Sequence, residues 1–154
     1  MLRFKTIDIE KHCDEVVRFR KDSFLVSFGD ISDFNEAEYL NWLKDKLIEF
    51  PEGFVMVEEN GRFIGQLELS IRKYEGRNIG YVHLYYLIPE KRGKGIGQEL
   101  HNYAINFFRN NKVTEYHLRV SPNNTQAMKF YKKNGMEELG SEFDGKVIRM
   151  KGNI

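Results

Sequence analysis

A mixed α/β fold on a central, mostly antiparallel sheet follows from three features of this 154-residue sequence. Short apolar runs alternate with helical periods along the chain, so strands and helices interleave. One run, IGYVHLYYLI at 79–88, is apolar on both faces, as a strand covered on both sides must be. The stretch from that run to Val120 reads strand, helix, strand, a crossover unit whose two strands lie parallel. About six or seven strands and about four helices are expected.

Each element has its own signal. Leu2, Phe4 and Ile7 alternate and open the chain as a strand, and Cys13, Val16 and Val17 then mark a helix. Residues 22–35, DSFLVSFGDISDFN, mix aromatics with turn formers and acids without a period and read as a loop. Asp33 and Glu36 have the spacing of a capping pair, and Leu40, Leu43, Leu47 and Phe50 recur at helical spacing until Pro51. FVMVEE and RFIGQLELSI follow, separated by Asn60-Gly61, a pair that accepts the positive φ angles of a tight hairpin. After a turn at 75–78, the 79–88 run completes a meander and stops at Pro89. Beyond RGKGIG, a helix carries Ile96, Leu100, Tyr103, Ala104, Phe107 and Phe108 on one face. YHLRV is a strand, and Asn123 or Asn124 caps a short helix through Phe130 and Tyr131, which Gly135 ends in a left-handed conformation. The tail, MEELGSEFDGKVIRM, reads as two strands around a turn near Asp144-Gly145.

Composition narrows the function. A hydrophobic content of 41% builds one core, so residues 1–154 are expected to form a single domain. The 24 Lys+Arg nearly cancel the 23 Asp+Glu, which argues against nucleic-acid or anionic-membrane partners. A lone cysteine, Cys13, excludes an internal disulfide and a Cys-based metal cluster and fits a reducing, cytoplasmic setting. The N-terminal MLRFKTIDIEKH is charged and alternating, unlike a secretory leader, and no later stretch approaches the roughly 18 apolar residues of a membrane span. No metal is expected.

The chemistry starts at the glycine loop. Gly93, Gly95 and Gly97 alternate where a strand gives way to a helix, and glycine lets the backbone come close to a ligand. The first amides of a helix have no internal partner and the helix end is electropositive, so an anion such as a pyrophosphate is favoured there, with Arg92 and Lys94 adding charge. A nucleotide-hydrolysing loop needs GxxxxGK followed by Ser or Thr, which is absent. A dinucleotide fingerprint needs GxGxxG, whereas Gln98 stands where its third glycine belongs.

Two segments resemble the GCN5-related N-acetyltransferase family. In YYLIPEKRGKGIGQEL, the residues Arg92, Gly95 and Gly97 match that family's coenzyme loop; in NNTQAMKFYKKNGM, the residues Asn124, Ala127, Phe130, Tyr131 and Gly135 match its later motif. The resemblance implies the family's mixed sheet and acetyl-CoA as co-substrate. It implies that the coenzyme's pyrophosphate lies on the amides of Arg92, Gly93, Lys94, Gly95, Ile96 and Gly97. It also implies that the pantetheine arm pairs like an added strand with Leu87 and Ile88, and that Asn124 bonds that arm. Tyr131 is implied beside the thioester sulfur, where a phenol can donate a proton.

Acetyl transfer to an amine also needs the amine neutral, and a lysine-like amine near pKa 10.4 is neutral in only about one molecule in 2,500 at pH 7. His83 is the candidate base: its ordinary pKa suits neutral pH, and it stands four residues before Leu87, on the same face of a regular strand. No Asp or Glu occupies that strand, and Tyr81 and Glu68 are further candidates for a water chain. The backbone N–H near Leu87 is the implied donor to the carbonyl oxygen as it gains charge. Asp30, Asp33, Glu142 and Asp144 lie in loops expected to frame the pocket of an amine acceptor and to attract it. A catalytically silent acyl-CoA-binding module is the alternative reading, and an exposed C-terminal edge strand allows a homodimer.

Overall fold

Asn60 and Gly61 both take positive φ, 50° and 79°, and close the hairpin that the dipeptide predicts. The computed structural model describes residues 1–154. In chain order its elements are β1 (Leu2–Thr6), α1 (Ile9–Phe28), α2 (Glu36–Glu49), β2 (Phe54–Glu59), β3 (Arg62–Tyr74), β4 (Arg77–Leu87), a 3₁₀ turn (Pro89–Lys91), α3 (Ile96–Asn110), β5 (Glu115–Val120), α4 (Thr125–Lys133), β6 (Glu137–Glu142) and β7 (Val147–Asn153). The strands form one seven-stranded sheet in the order β1-β2-β3-β4-β5-β7-β6. Only β4 and β5 pair parallel, as the crossover requires. The mixed, mostly antiparallel sheet with four helices is the fold class predicted.

Two local expectations change. The segment 22–28 is not loop: α1 continues to Phe28 and ends at Gly29, whose φ of 81° makes a left-handed cap with its N–H on the Leu25 carbonyl. Its last turns hang beside a cleft instead of on the core, and Leu25 and Val26 are each 48% exposed, so no apolar period marks them. The cap of α2 is Asn35, whose side chain accepts from the Glu38 N–H at 3.0 Å, and not Asp33. Asp33 sits inside a turn closed by Phe34 N–H on the Ile31 carbonyl, which leaves the next polar residue with a correctly placed Glu as the cap.

Helices α1 and α2 cover one face of the sheet, with Phe19 stacked on Tyr86 and Trp42 edge-on to Phe54. Helix α3 covers the other face through Leu100, Ala104, Phe107 and Phe108, all buried. Each large side chain removed from water there contributes about 1.5–3 kcal/mol. Phe108 stacks on Tyr116 and lies so close to β4 that a Cβ at Gly80 would be 2.5 Å from its ring. That close approach is why residue 80 is glycine. Helix α4 joins the same layer, its Phe130 edge-on to His101. No helix is long and apolar enough to cross a membrane. β6 is an edge strand, with exposed residues at all but its last position.

The feature that positions the site is an irregularity in β4. Glu68 of β3 pairs with Leu84, and the next residue, Leu69, pairs with Val82, so His83 is an extra residue with no partner. Such a bulge bends its strand. Past it, β4 leaves β5: their ladder covers only residues 80–82 against 116–118, while Arg119 and Val120 pair only with β7. The sheet is split along its middle.

Candidate active site

The split fills a cleft of about 470 Å³, walled by Ser23, Val26 and Ser27 of α1, residues 85–87 of β4, the glycine loop, and Asn124, Ala127, Phe130 and Tyr131 of α4. The ladder decides which backbone groups face it. Ile88 donates its N–H to the Ile64 carbonyl at 2.8 Å, so hydrogen-bonded groups alternate along β4 and those of Leu87 and Tyr85 turn away from β3 toward the cleft. Of the two residues expected to pair with pantetheine, Leu87 presents its backbone to the opening, and Ile88 spends its N–H on β3.

The glycine loop is a cradle of free donors. Gly93 and Gly95 have φ of 72° and 83°, and Gly95 caps α3 without any side-chain hydrogen bond. The amides of Gly93, Lys94, Gly95, Ile96 and Gly97 make no backbone bond, whereas the Arg92 amide is already on the Pro89 carbonyl at 3.2 Å. The free donors of 93–97, at an electropositive helix end, can receive an anion. A Cβ at Gly97 would stand 3.4 Å from Phe130, so this residue also seats α4 against α3. Lys94 makes no ion pair. Arg92 does: it binds Asp22 at 2.8 Å, donates Nε to the Leu87 carbonyl at 2.8 Å, and lies over Tyr86. Its role is to lock the end of β4 to α1. Asp22, which also accepts from the Tyr86 hydroxyl at 2.5 Å, belongs to the segment read as loop and carried no sequence signal.

Asn124 caps α4, accepting the Ala127 N–H at 3.3 Å, and its amide nitrogen stays uncommitted at the cleft wall. Tyr131 lines the same wall, tilted against Tyr85 at 6.3 Å, and its hydroxyl makes no hydrogen bond. Burial, with Tyr116 nearby, pushes its pKa up to about 12, so the phenol keeps its proton. Tyr85 is itself held by His101 at 3.3 Å.

His83 lies on the opposite face from the one expected. The bulge reverses the alternation of β4, so His83 packs edge-on against Trp42 of α2 at 5.0 Å and against Tyr81 at 4.8 Å, while Tyr85 turns to α3 and α4. His83 Nε2 and Ser70 Oγ are 2.7 Å apart. Burial, and secondarily the charges of Arg20, Arg72, Lys46 and Arg119, lower the His83 pKa to about 3, so it is neutral at pH 7. Glu68 is fully buried: it accepts from Tyr39 at 2.5 Å and Gln66 at 2.9 Å and pairs with Arg20 at 3.3 Å. Arg20 in turn reaches the His83 carbonyl at 3.4 Å, so this network braces the bulge.

The acidic loops do meet, but most of their charge is taken. Asp33 pairs with Lys146 at 3.4 Å, and Asp30 accepts from Ser32 at 2.8 Å. Glu142 is shared by Arg119 at 2.7 Å and Arg149 at 2.9 Å. Only Asp144 has no such partner. Sequence order could not show which base would fall beside which acid.

The seven-stranded mixed sheet with four helices is the fold of solved N-acetyltransferases. A PaiA N-acetyltransferase of Thermoplasma acidophilum, solved in complex with coenzyme A, superposes with a TM-score of 0.75 at 19% identity, covering 100% of this chain and 99% of that one. Residues 13–136 match the Acetyltransferase (GNAT) family, and the chain belongs to it. Among relatives, an uncharacterized N-acetyltransferase of Methanocaldococcus jannaschii is 32% identical over 103 residues, 65% of this chain but 44% of that protein. Another, from Archaeoglobus fulgidus, is 28% identical over 123 residues, 77% of this chain and 82% of its own length.

Proposed function

We propose that this chain is an N-acetyltransferase that moves the acetyl group of acetyl-CoA to a primary amine by direct attack. One observation carries the reading: Gly93, Gly95 and Gly97 with their free amides, Tyr85 and Leu87 with their outward backbone, and Tyr131 with its unbonded hydroxyl all line one cleft. Acetyl-CoA fits that set, as an anion for the loop, an extended arm for the open strand edge, and a thioester beside the phenol. Bound there, it supplies an activated acetyl group.

In this reading the outward-facing N–H of Tyr85, two residues beyond His83 and beside Tyr131, polarises the carbonyl oxygen. The amine enters from the α1/α2 side, where His83 sits at the bulge. With a pKa near 3, His83 cannot strip a free ammonium. The amine attacks from its neutral fraction, its ammonium proton having gone to solvent, and the second proton, acidic once nitrogen has bonded to carbon, leaves through the His83–Ser70 pair to water. Tyr131 hydrogen-bonds the departing sulfur; with a pKa of about 12 it stays protonated and steadies the thiolate. The setting is proposed to be cytoplasmic.

The test is thiol release from acetyl-CoA over a panel of amines and an amine-free blank. Amine-dependent release that falls roughly 10- to 100-fold in Tyr131→Phe, with KM for acetyl-CoA little changed, is the expected result. Heat protection by acetyl-CoA without release from any amine favours the silent binding module; no protection at all removes the coenzyme assignment.

A further inference from the structure

Beyond the reach of α2, the helix-free half of the α1/α2 face carries a compact basic and aromatic floor. Arg72, Arg119 and Arg149 surround the Tyr81 ring, with guanidinium carbons 4.6, 5.8 and 5.9 Å from its centre. These three cations face one carboxylate, Glu142, which bonds Arg119 and Arg149 but not Arg72. Arg149 is further tied to His117 Nδ1 at 2.9 Å and stacked on Tyr74 at 4.6 Å. At the back, Glu115 is taken by Arg77 at 2.8 Å and by His117 Nε2 at 2.5 Å. Two positive charges are therefore left over, on a protein whose net charge is only +1.

These charges are held in place. Arg149 is 5% exposed and Tyr81 4%, so the floor under the two outer arginines is rigid. Arg72 is exposed and makes no ion pair or side-chain hydrogen bond, its guanidinium resting on Tyr81. Arg119 is partly open and lies 4.8 Å over Phe143, a residue of the β6–β7 turn that is 63% exposed. His83 touches the same Tyr81 ring at 4.8 Å. A planar guanidinium fork matches a carboxylate in two parallel bonds. The glycine loop cannot be what this floor serves: Tyr81 and Leu87 are six residues apart on β4, roughly 20 Å at strand spacing.

We propose that the acceptor is an amine carrying a carboxylate, as an amino acid does, and that Arg72 and Arg119 hold this carboxylate while its amine stands by His83. The assignment deepens the transferase reading and rests on it for the position of the amine. The expected loops supply the opposite of what was expected, an anion-binding rather than a cation-binding acceptor site, because Glu142 is consumed by its own arginines.

The test uses matched pairs in which only the carboxylate changes: glycine, methionine, phenylalanine and glutamate against their α-carboxamides, and glutamate against glutamine. Two readouts are taken, acetyl transfer and calorimetric binding of each N-acetylated compound to the protein saturated with coenzyme A. At least one carboxylate should bind and react about tenfold better than its uncharged partner. The glutamate–glutamine pair separates a side-chain carboxylate from an α-carboxylate. Arg72→Gln and Arg119→Gln should each shrink that ratio toward one. Binding read without turnover keeps this proposal separate from the transferase reading: discrimination without transfer sinks only the latter. Equal binding of every pair by the wild type, or a ratio that survives in both variants, overturns the carboxylate site.

Discussion

At the residue scale, His83 shows how a side chain's surroundings override its intrinsic chemistry. Its pKa falls from 6.5 to about 3 through burial between Trp42, Phe54 and Tyr81 and through nearby cations. A depressed histidine binds fewer protons folded than unfolded between these two values. Its contribution to stability is therefore complete above pH 6.5 and is lost as pH falls toward 3. From pH 7 to pH 5 this one group should cost about 2 kcal/mol. Urea unfolding of wild type and His83→Gln at both pH values checks it, since Gln cannot titrate; parallel losses in the two proteins contradict the assignment. The pKa values of His101 and His117 are also lowered by burial, so some acid sensitivity should survive in the variant.

At the element scale, the glycine loop and α4 form one device. Gly95 has φ of 83° and open space where a Cβ would go, while Gly97 lacks positive φ and merely leaves room for Phe130. Gly95→Ala should destabilise by about 1–2 kcal/mol through backbone strain, and Gly97→Ala by less. Thermal denaturation separates them, and equal losses would mean that packing, not conformation, governs the loop. The loop motif was legible because glycine spacing records backbone geometry directly. The final turns of α1 were not, although Asp22 there clamps Arg92 and Ser23, Val26 and Ser27 wall the cleft. A helix that lines a cleft needs no apolar stripe, and the stripe is what a sequence displays.

At the scale of the whole molecule, the split between β4 and β5 leaves a strand edge inside the protein. Acetyl-CoA pairing along it should slow amide exchange at Tyr85 and Leu87, whose groups face the opening, and leave Ile88, bonded to Ile64, nearly unchanged. Hydrogen exchange resolved by residue reads this directly. Uniform slowing of all three would point to global stabilisation instead of strand addition.

The order of elements, the hairpin turns, the parallel crossover, the glycine loop and the membership of Asn124 and Tyr131 in one motif can all be read along the chain. These rest on interactions between residues near in the chain, or on periods that local burial imposes. The remainder depends on contacts between segments far apart in the chain. One unpaired residue in β4 turned His83 to the face opposite Leu87 and opened the sheet; a hydrophobic run looks the same with or without a bulge. Likewise Glu142 was expected to attract a cation, yet strand pairing sets β7 beside both β5 and β6 and delivers Arg119 and Arg149 to it. Charge at a site is a sum over neighbours, and neighbours are chosen by the fold.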